Sequence, residues 1–236
     1  GALIWAALLS FACDVSAKPK SEYGVPFLKG TGIVKMDKFA AEQVKAMKTG
    51  WNLGNTFDAT NNIDRFSGQN AGVSSVTSWG IPEPKKEIFD ALAKAGFKCV
   101  RIPVSWSNHI CDKEYTIDPA WMAKVKRFVD YAIEDGLIVI INIHHDNSFT
   151  ETGFKYGRGF YPSDKCYAES EKFVVRVWEQ VSTQFKDYSE NDLVFETLNE
   201  PRLRYYPHEW NFTNTCDKCK EAMNCINNLN QKAVDT

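Results

Sequence analysis

Four short, apolar, β-prone runs, each followed by a stretch of different periodicity, leave this chain few folds to choose from. The runs cover residues 50–55, 98–104, 137–143 and 192–198. Residues 83–95, 120–134 and 169–185 between them carry apolar side chains at helical spacing. In the second of these, Met122, Val125, Phe128, Val129 and Ala132 share one face. Pro84 and Pro119 stand near helix starts, where a missing amide hydrogen costs nothing, and Gly96 and Gly136 follow helix ends. Strands apolar along their whole length must be covered on both faces. The alternation therefore predicts an α/β fold with a parallel sheet wrapped by helices.

The polar residues are placed with equal regularity. Asn55 and Asp58 follow the first run, Arg101 and Trp106 lie in and after the second, His144, His145 and Asp146 follow the third, and Asn199 and Glu200 follow the fourth. Chemistry gathered at the C-terminal ends of successive parallel strands is the pattern of a (β/α)8 TIM barrel seen from its catalytic face. The fourth run is the most telling. Leu193-Val-Phe-Glu-Thr-Leu198 stops at Asn199-Glu200, and Pro201 ends the strand ladder. An amide beside a carboxylic acid is poor core material but suits a proton donor next to a hydroxyl-binding group. No glycine-rich phosphate loop follows any strand, so nucleotide binding has no support.

Net charge is −2 over 236 residues, so no basic field suggests nucleic acid or an anionic membrane surface. Seven Trp and nine Tyr, many beside Gly, Asn or Pro, suit stacking on sugar rings, although any one aromatic is better explained as core filling. Residues 1–13 are almost wholly apolar, and Val15-Ser16-Ala17 resembles a signal-peptidase site. Residues 1–17 are therefore expected to be a clipped secretory signal, and 18–236 a catalytic-domain segment. Cys99, inside a strand, is expected to be a buried free thiol. Cys216-x-x-Cys219 with Cys225 suggests a zinc knuckle or a small disulfide-tied loop, and no fourth metal ligand follows, which favours the loop. Asn211-Phe212-Thr213 is a glycosylation sequon. His109 and His208 read as exposed loop residues, and Glu151 and Asp164 as solvated charges. His144-His145 with Asp146 raises the question of a metal, but adjacent residues on a strand point opposite ways, so none is expected.

Gly50-Trp-Asn-Leu-Gly-Asn-Thr-Phe-Asp58, Val100-Arg-Ile-Pro-Val-Ser-Trp106, Ile141-Asn-Ile-His-His145 and Phe195-Glu-Thr-Leu-Asn-Glu-Pro201 together resemble glycoside hydrolase family 5, in the order of its cellulase-type members. The resemblance covers roughly residues 35–235. It implies a secreted, retaining endo-β-1,4-glucanase that needs no cofactor and works as a monomer on a β-glucan. Carried over by motif, Glu200 would be the acid/base and Asn199 the ligand of the sugar 2-hydroxyl. Arg101 would hold the nucleophile, and His144, His145, Asn55 and Asp58 would line the site with Trp79 and Trp106. Arg101 has a competing partner in Glu196, which strand alternation places on the face of Glu200.

Retention requires a second carboxylate about 5–5.5 Å from the first. In this family it lies near the end of the seventh strand. The sequence is accordingly expected to hold only about the first four βα units of the barrel, and to be inactive alone. Mannanase, xyloglucanase and mixed-linkage glucanase activities within the family, a secreted non-catalytic carbohydrate binder and a metal-dependent hydrolase are the alternatives.

Overall fold

The computed structural model describes residues 38–60, 71–148, 150–151 and 159–236; the expected signal segment lies outside them. Among the described residues, five α-helices alternate with four strands: α1 (Lys38–Met47), β1 (Gly50–Asn52), α2 (Glu87–Lys94), β2 (Cys99–Ile102), α3 (Pro119–Glu134), β3 (Ile138–Asn142), α4 (Tyr167–Gln184), β4 (Leu193–Glu196) and α5 (Asp217–Asp235). The strands form one parallel sheet in the order β1-β2-β3-β4. The ladder aligns Asn52 with Arg101, Arg101 with Ile140, and Asn142 with Glu196. Each strand is shorter than its apolar run, because the last residues of each run already turn into the loops that carry the polar groups.

Local chemistry sets the helix limits. Asp118 caps α3 by accepting from the Ala120 amide at 2.8 Å, with Pro119 in the first turn. At the far end of α3, Gly136 takes φ 74°, and its N–H and that of Leu137 reach the Ile133 and Ala132 carbonyls. Gly96, at φ 91°, repeats this after α2 with Phe97, Ala93 and Leu92. Each pair of bonds closes a helix and feeds the chain straight into the next strand. Pro84 precedes α2 by more than the sequence suggests, since that helix begins only at Glu87.

Period-two alternation splits the strands between two environments. Val100, Ile102, Val139, Ile141, Leu193 and Phe195 join Phe128, Val129, Phe173, Val177 and Trp178 in the core between sheet and helices. On the opposite face Cys99, Ile140 and Val194 pack with Met47 of α1. Gln43 of α1 donates to the Glu190 carbonyl and to Asn191 Oδ1 just ahead of β4, so α1 closes the N-terminal end of the sheet. One residue pair further along that inner face, the side chains become Arg101, Asn142 and Glu196. The inner face is thus apolar at one end and polar at the other, not apolar throughout as four bare strands would suggest. Cys99 is buried and free, and burial pushes its thiol up.

Candidate active site

The polar end of the sheet is organised around one guanidinium. Arg101 donates through Nε and Nη2 to the two oxygens of Glu196, both at 2.6 Å, through Nη2 to Asn199 Oδ1 at 2.9 Å, and through Nη1 to Asn52 Oδ1 at 3.0 Å. Two parallel bonds of this kind fix both partners in one plane, which an ammonium group cannot do. Asn142 adds a further donor, at 3.1 Å, to Glu196 Oε1. With Asn199 Oδ1 occupied by Arg101, the amide nitrogen is the end offered to a ligand. The Asn199 backbone is itself held by a 2.8 Å bond to the Ile143 carbonyl.

Glu200 follows in a left-handed conformation, φ 44°, with 57% of its side chain exposed. Strain at a non-glycine residue of this kind needs surrounding contacts to hold it. They come from the next turn. Arg202 Nη1 donates to Glu200 Oε2 at 2.7 Å, Arg202 Nε to Glu209 Oε1 at 2.8 Å, and the Arg202 amide to Asn147 Oδ1 at 2.8 Å. The Arg202 guanidinium also lies 4.0 Å over the Trp210 ring.

Beside this stands a buried carboxylate with two imidazoles. Asp58 accepts from the Thr56 amide at 2.8 Å, and its Oδ2 lies 3.8 Å from His144 Nε2 and 3.6 Å from His145 Nε2. Burial pushes the Asp58 carboxyl up, opposed by the Thr56 and Asn55 amides and by Arg101. His144 is pushed down to about 2 by burial first, then by the neighbouring His145 and Arg101, so the ring is neutral. Both imidazoles face Asp58. The expected opposite orientation fails because β3 ends at Asn142, before either histidine, and strand alternation no longer applies. Trp79, 40% exposed, lies with its ring 5.4 Å from that of His145, its indole N–H bound to the Thr60 carbonyl. Asn55 is exposed at φ 59° in the turn after β1.

One expected member stands apart. Trp106 is only 1% exposed, and its indole N–H donates to the Asn142 carbonyl, so it supports the site from within rather than offering a ring to sugar. Its amide and that of Ser107 bind the buried Asp146 carboxylate.

The model of the cellulase family, glycosyl hydrolase family 5, matches residues 58–236. The chain belongs to glycoside hydrolase family 5. Among curated relatives, it is 38% identical over 201 residues to endoglucanase A of Ruminococcus albus, covering 85% of this chain and 49% of that protein. Among solved structures, a family 5 lichenase from a Caldicellulosiruptor species superposes with TM-score 0.75 at 38% identity, covering 89% of this chain and 53% of the other. A GH5-4 broad specificity endoglucanase from Ruminococcus champanellensis with bound cellotriose gives TM-score 0.72 at 36% identity, over 83% and 52%. The chain spans about half the length of the curated relatives it matches. The four βα units are thus part of the family 5 (β/α)8 barrel, with Arg101, His144, His145, Asn199 and Glu200 toward the C-terminal ends of its strands.

Several contributors escaped the sequence. Asn142 and Asn147 look like ordinary strand-end amides, and only the fold shows them holding Glu196 and Arg202. Tyr205 and Trp210 are 71% and 66% exposed in the loop after Glu200, where Trp210 beside Asn211 and Tyr205 two residues before Pro207 were the available signal. Two corrections concern histidine. His109 is fully buried, stacked on Trp121 with ring centres 3.6 Å apart, and it lies against Ser75 and Asn108. His208 is part-buried, with Nδ1 at 3.3 Å from Cys219 Sγ. Glu151 is pinned by Lys218 at 3.0 Å. Cys166, Cys216, Cys219 and Cys225 are free thiols, and Cys225 turns toward Asp164 at 3.5 Å instead of closing the expected disulfide loop with Cys216 and Cys219. Among the described residues, two groups could hold a metal ion: Asp58, His144 and His145, and His208, Cys216 and Cys219.

Proposed function

We propose that a polypeptide containing this segment and a complete barrel hydrolyses internal β-1,4 linkages of a glucan with retention of configuration. Glu200 is the acid/base and Asn199 the ligand of the sugar 2-hydroxyl. The observation that carries this is the fixed relation between them: Arg101 locks the Asn199 amide while Arg202 steadies the neighbouring Glu200. Cleavage needs a proton for the departing alkoxide, then a base for the incoming water, and one carboxyl group can serve both steps. An amide donor at the 2-hydroxyl binds more tightly as the ring gains positive charge, which stabilises the transition state selectively. The neutral ring of His144, with the His145 imidazole and Trp79, offers hydrogen bonds and an apolar wall for a sugar.

The endoglucanase and lichenase names of the relatives and the bound cellotriose of one neighbour support a β-glucan substrate. We assign the nucleophilic carboxylate to a later barrel strand, so the 236 residues alone are proposed to be inactive. Secretion is part of the same proposal, resting on the apolar first residues and on a sequon whose Asn211 is exposed. Among the described residues, no helix is long and apolar enough to cross a membrane. Proton NMR of early products from the complete enzyme on a soluble β-1,4-glucan tests the reading. The β-anomer should form first; initial α-anomer, or no cleavage of β-1,4-glucans, would overturn it.

A further inference from the structure

The loop that leaves Glu200 ends on a second cluster of chemistry-bearing side chains. Cys216 stands at the N-cap of α5 and Cys219 in its first turn, a spacing that turns both sulfurs toward one point. His208, from the middle of the same loop, completes the group. His208 Nδ1 lies 3.3 Å from Cys219 Sγ, and the two sulfurs and the nitrogen all fall within 4.8 Å of one another. Tetrahedral zinc, with Zn–S near 2.3 Å and Zn–N near 2.0–2.1 Å, separates such donors by roughly 3.5–3.8 Å. The donors therefore need to move little to close on an ion.

We propose that His208, Cys216 and Cys219 form a binding site for a borderline-soft divalent cation of the zinc type, with a fourth position open to water. The sequence pattern lacked this reading because it sought further ligands downstream, whereas the third donor comes from upstream. The surroundings favour a thiolate at Cys216. The Cys219 amide donates to Cys216 Sγ at 3.3 Å at the positive end of α5, and the Tyr206 hydroxyl lies 3.7 Å from the same sulfur. Cys219 is fully buried, whereas Cys216 and His208 are partly exposed, which gives the ion an entry side. On binding, the two thiols release their protons to solvent, and His208 coordinates through a ring nitrogen that carries no proton.

The site would act as a clip. It joins the middle of an irregular loop to the helix that follows, and Glu209, the next residue after His208, holds Arg202, which holds Glu200. That consequence rests on the assignment of Glu200; metal binding itself does not. The test therefore reads binding without substrate. Reduced, chelator-stripped protein is titrated with Co2+ and then Zn2+. The expected result is a sulfur-to-cobalt charge-transfer band with the visible spectrum of tetrahedral cobalt, displaced by one equivalent of Zn2+.

His208→Gln and Cys216→Ser should each weaken Zn2+ binding at least about tenfold. Cys225→Ser should leave it unchanged, and circular dichroism confirms that each variant is folded. Absence of the sulfur band, equal weakening by Cys225→Ser, or unaltered binding after His208→Gln would overturn the site. So would a Cys216–Cys219 disulfide in the protein as isolated together with no metal uptake after reduction.

Discussion

Arg101 shows how much one side chain can decide at the mouth of a barrel. Its fork binds a carboxylate that is 8% exposed and, with the same Nη2, the amide beside the proposed acid/base. Arg101→Lys keeps the charge but loses the parallel bonds, so stability should fall by about 1.5–3 kcal/mol in denaturant titrations. In the complete enzyme, kcat should fall more than KM rises, because Asn199 would lose its fixed orientation. His109 offers a second check, through pH. Burial pushes its pKa down to about 3, with Asp118 opposing, whereas an unfolded histidine titrates near 6.5. The folded value is the lower one, so the stability it contributes is complete above about pH 6.5 and is lost as pH falls toward about 3. Between those limits, the advantage of the unsubstituted protein over His109→Gln should shrink by about 1.4 kcal/mol per pH unit. A constant difference across that range would contradict the burial of a neutral ring.

At the scale of elements, strand–helix order was legible because burial on both faces writes an apolar run, and caps write Asp, Pro and Gly at fixed offsets. Gly96 and Gly136 act as those offsets demand. What stayed hidden lies in the loops after the strands, where direction is set by tertiary contacts rather than by period. His144 and His145 turn to one side because β3 has already ended, and no pattern in the sequence marks that stop. Gly159 is of the same kind: at φ 95°, an added Cβ would overlap the Asp146 carbonyl oxygen. Gly159→Ala should therefore destabilise more than Gly136→Ala, for which backbone strain alone predicts about 1–2 kcal/mol. Thermal unfolding of both variants checks the order. Asp118→Ala, which removes the cap of α3, should cost about 1 kcal/mol.

For the molecule as a whole, the sheet separates stability from chemistry along its own axis. Met47, Cys99, Ile140 and Val194 fill the end closed by α1, while Arg101, Asn142 and Glu196 begin the end that holds Asn199 and Glu200. The family motifs were readable because each sits at such a strand end. Asn147, Glu209 and the His208–Cys219 contact were not, since they join segments far apart in sequence or hidden within an irregular loop. Glu200→Gln in the complete enzyme tests the central assignment most directly, with hydrolysis rates on a β-1,4-glucan compared with those on an aryl β-cellobioside whose phenolate leaves without a proton. The account predicts a loss of about 10²–10⁴ on the glucan and a much smaller loss in forming the intermediate from the aryl substrate. Undiminished hydrolysis of the glucan would contradict it.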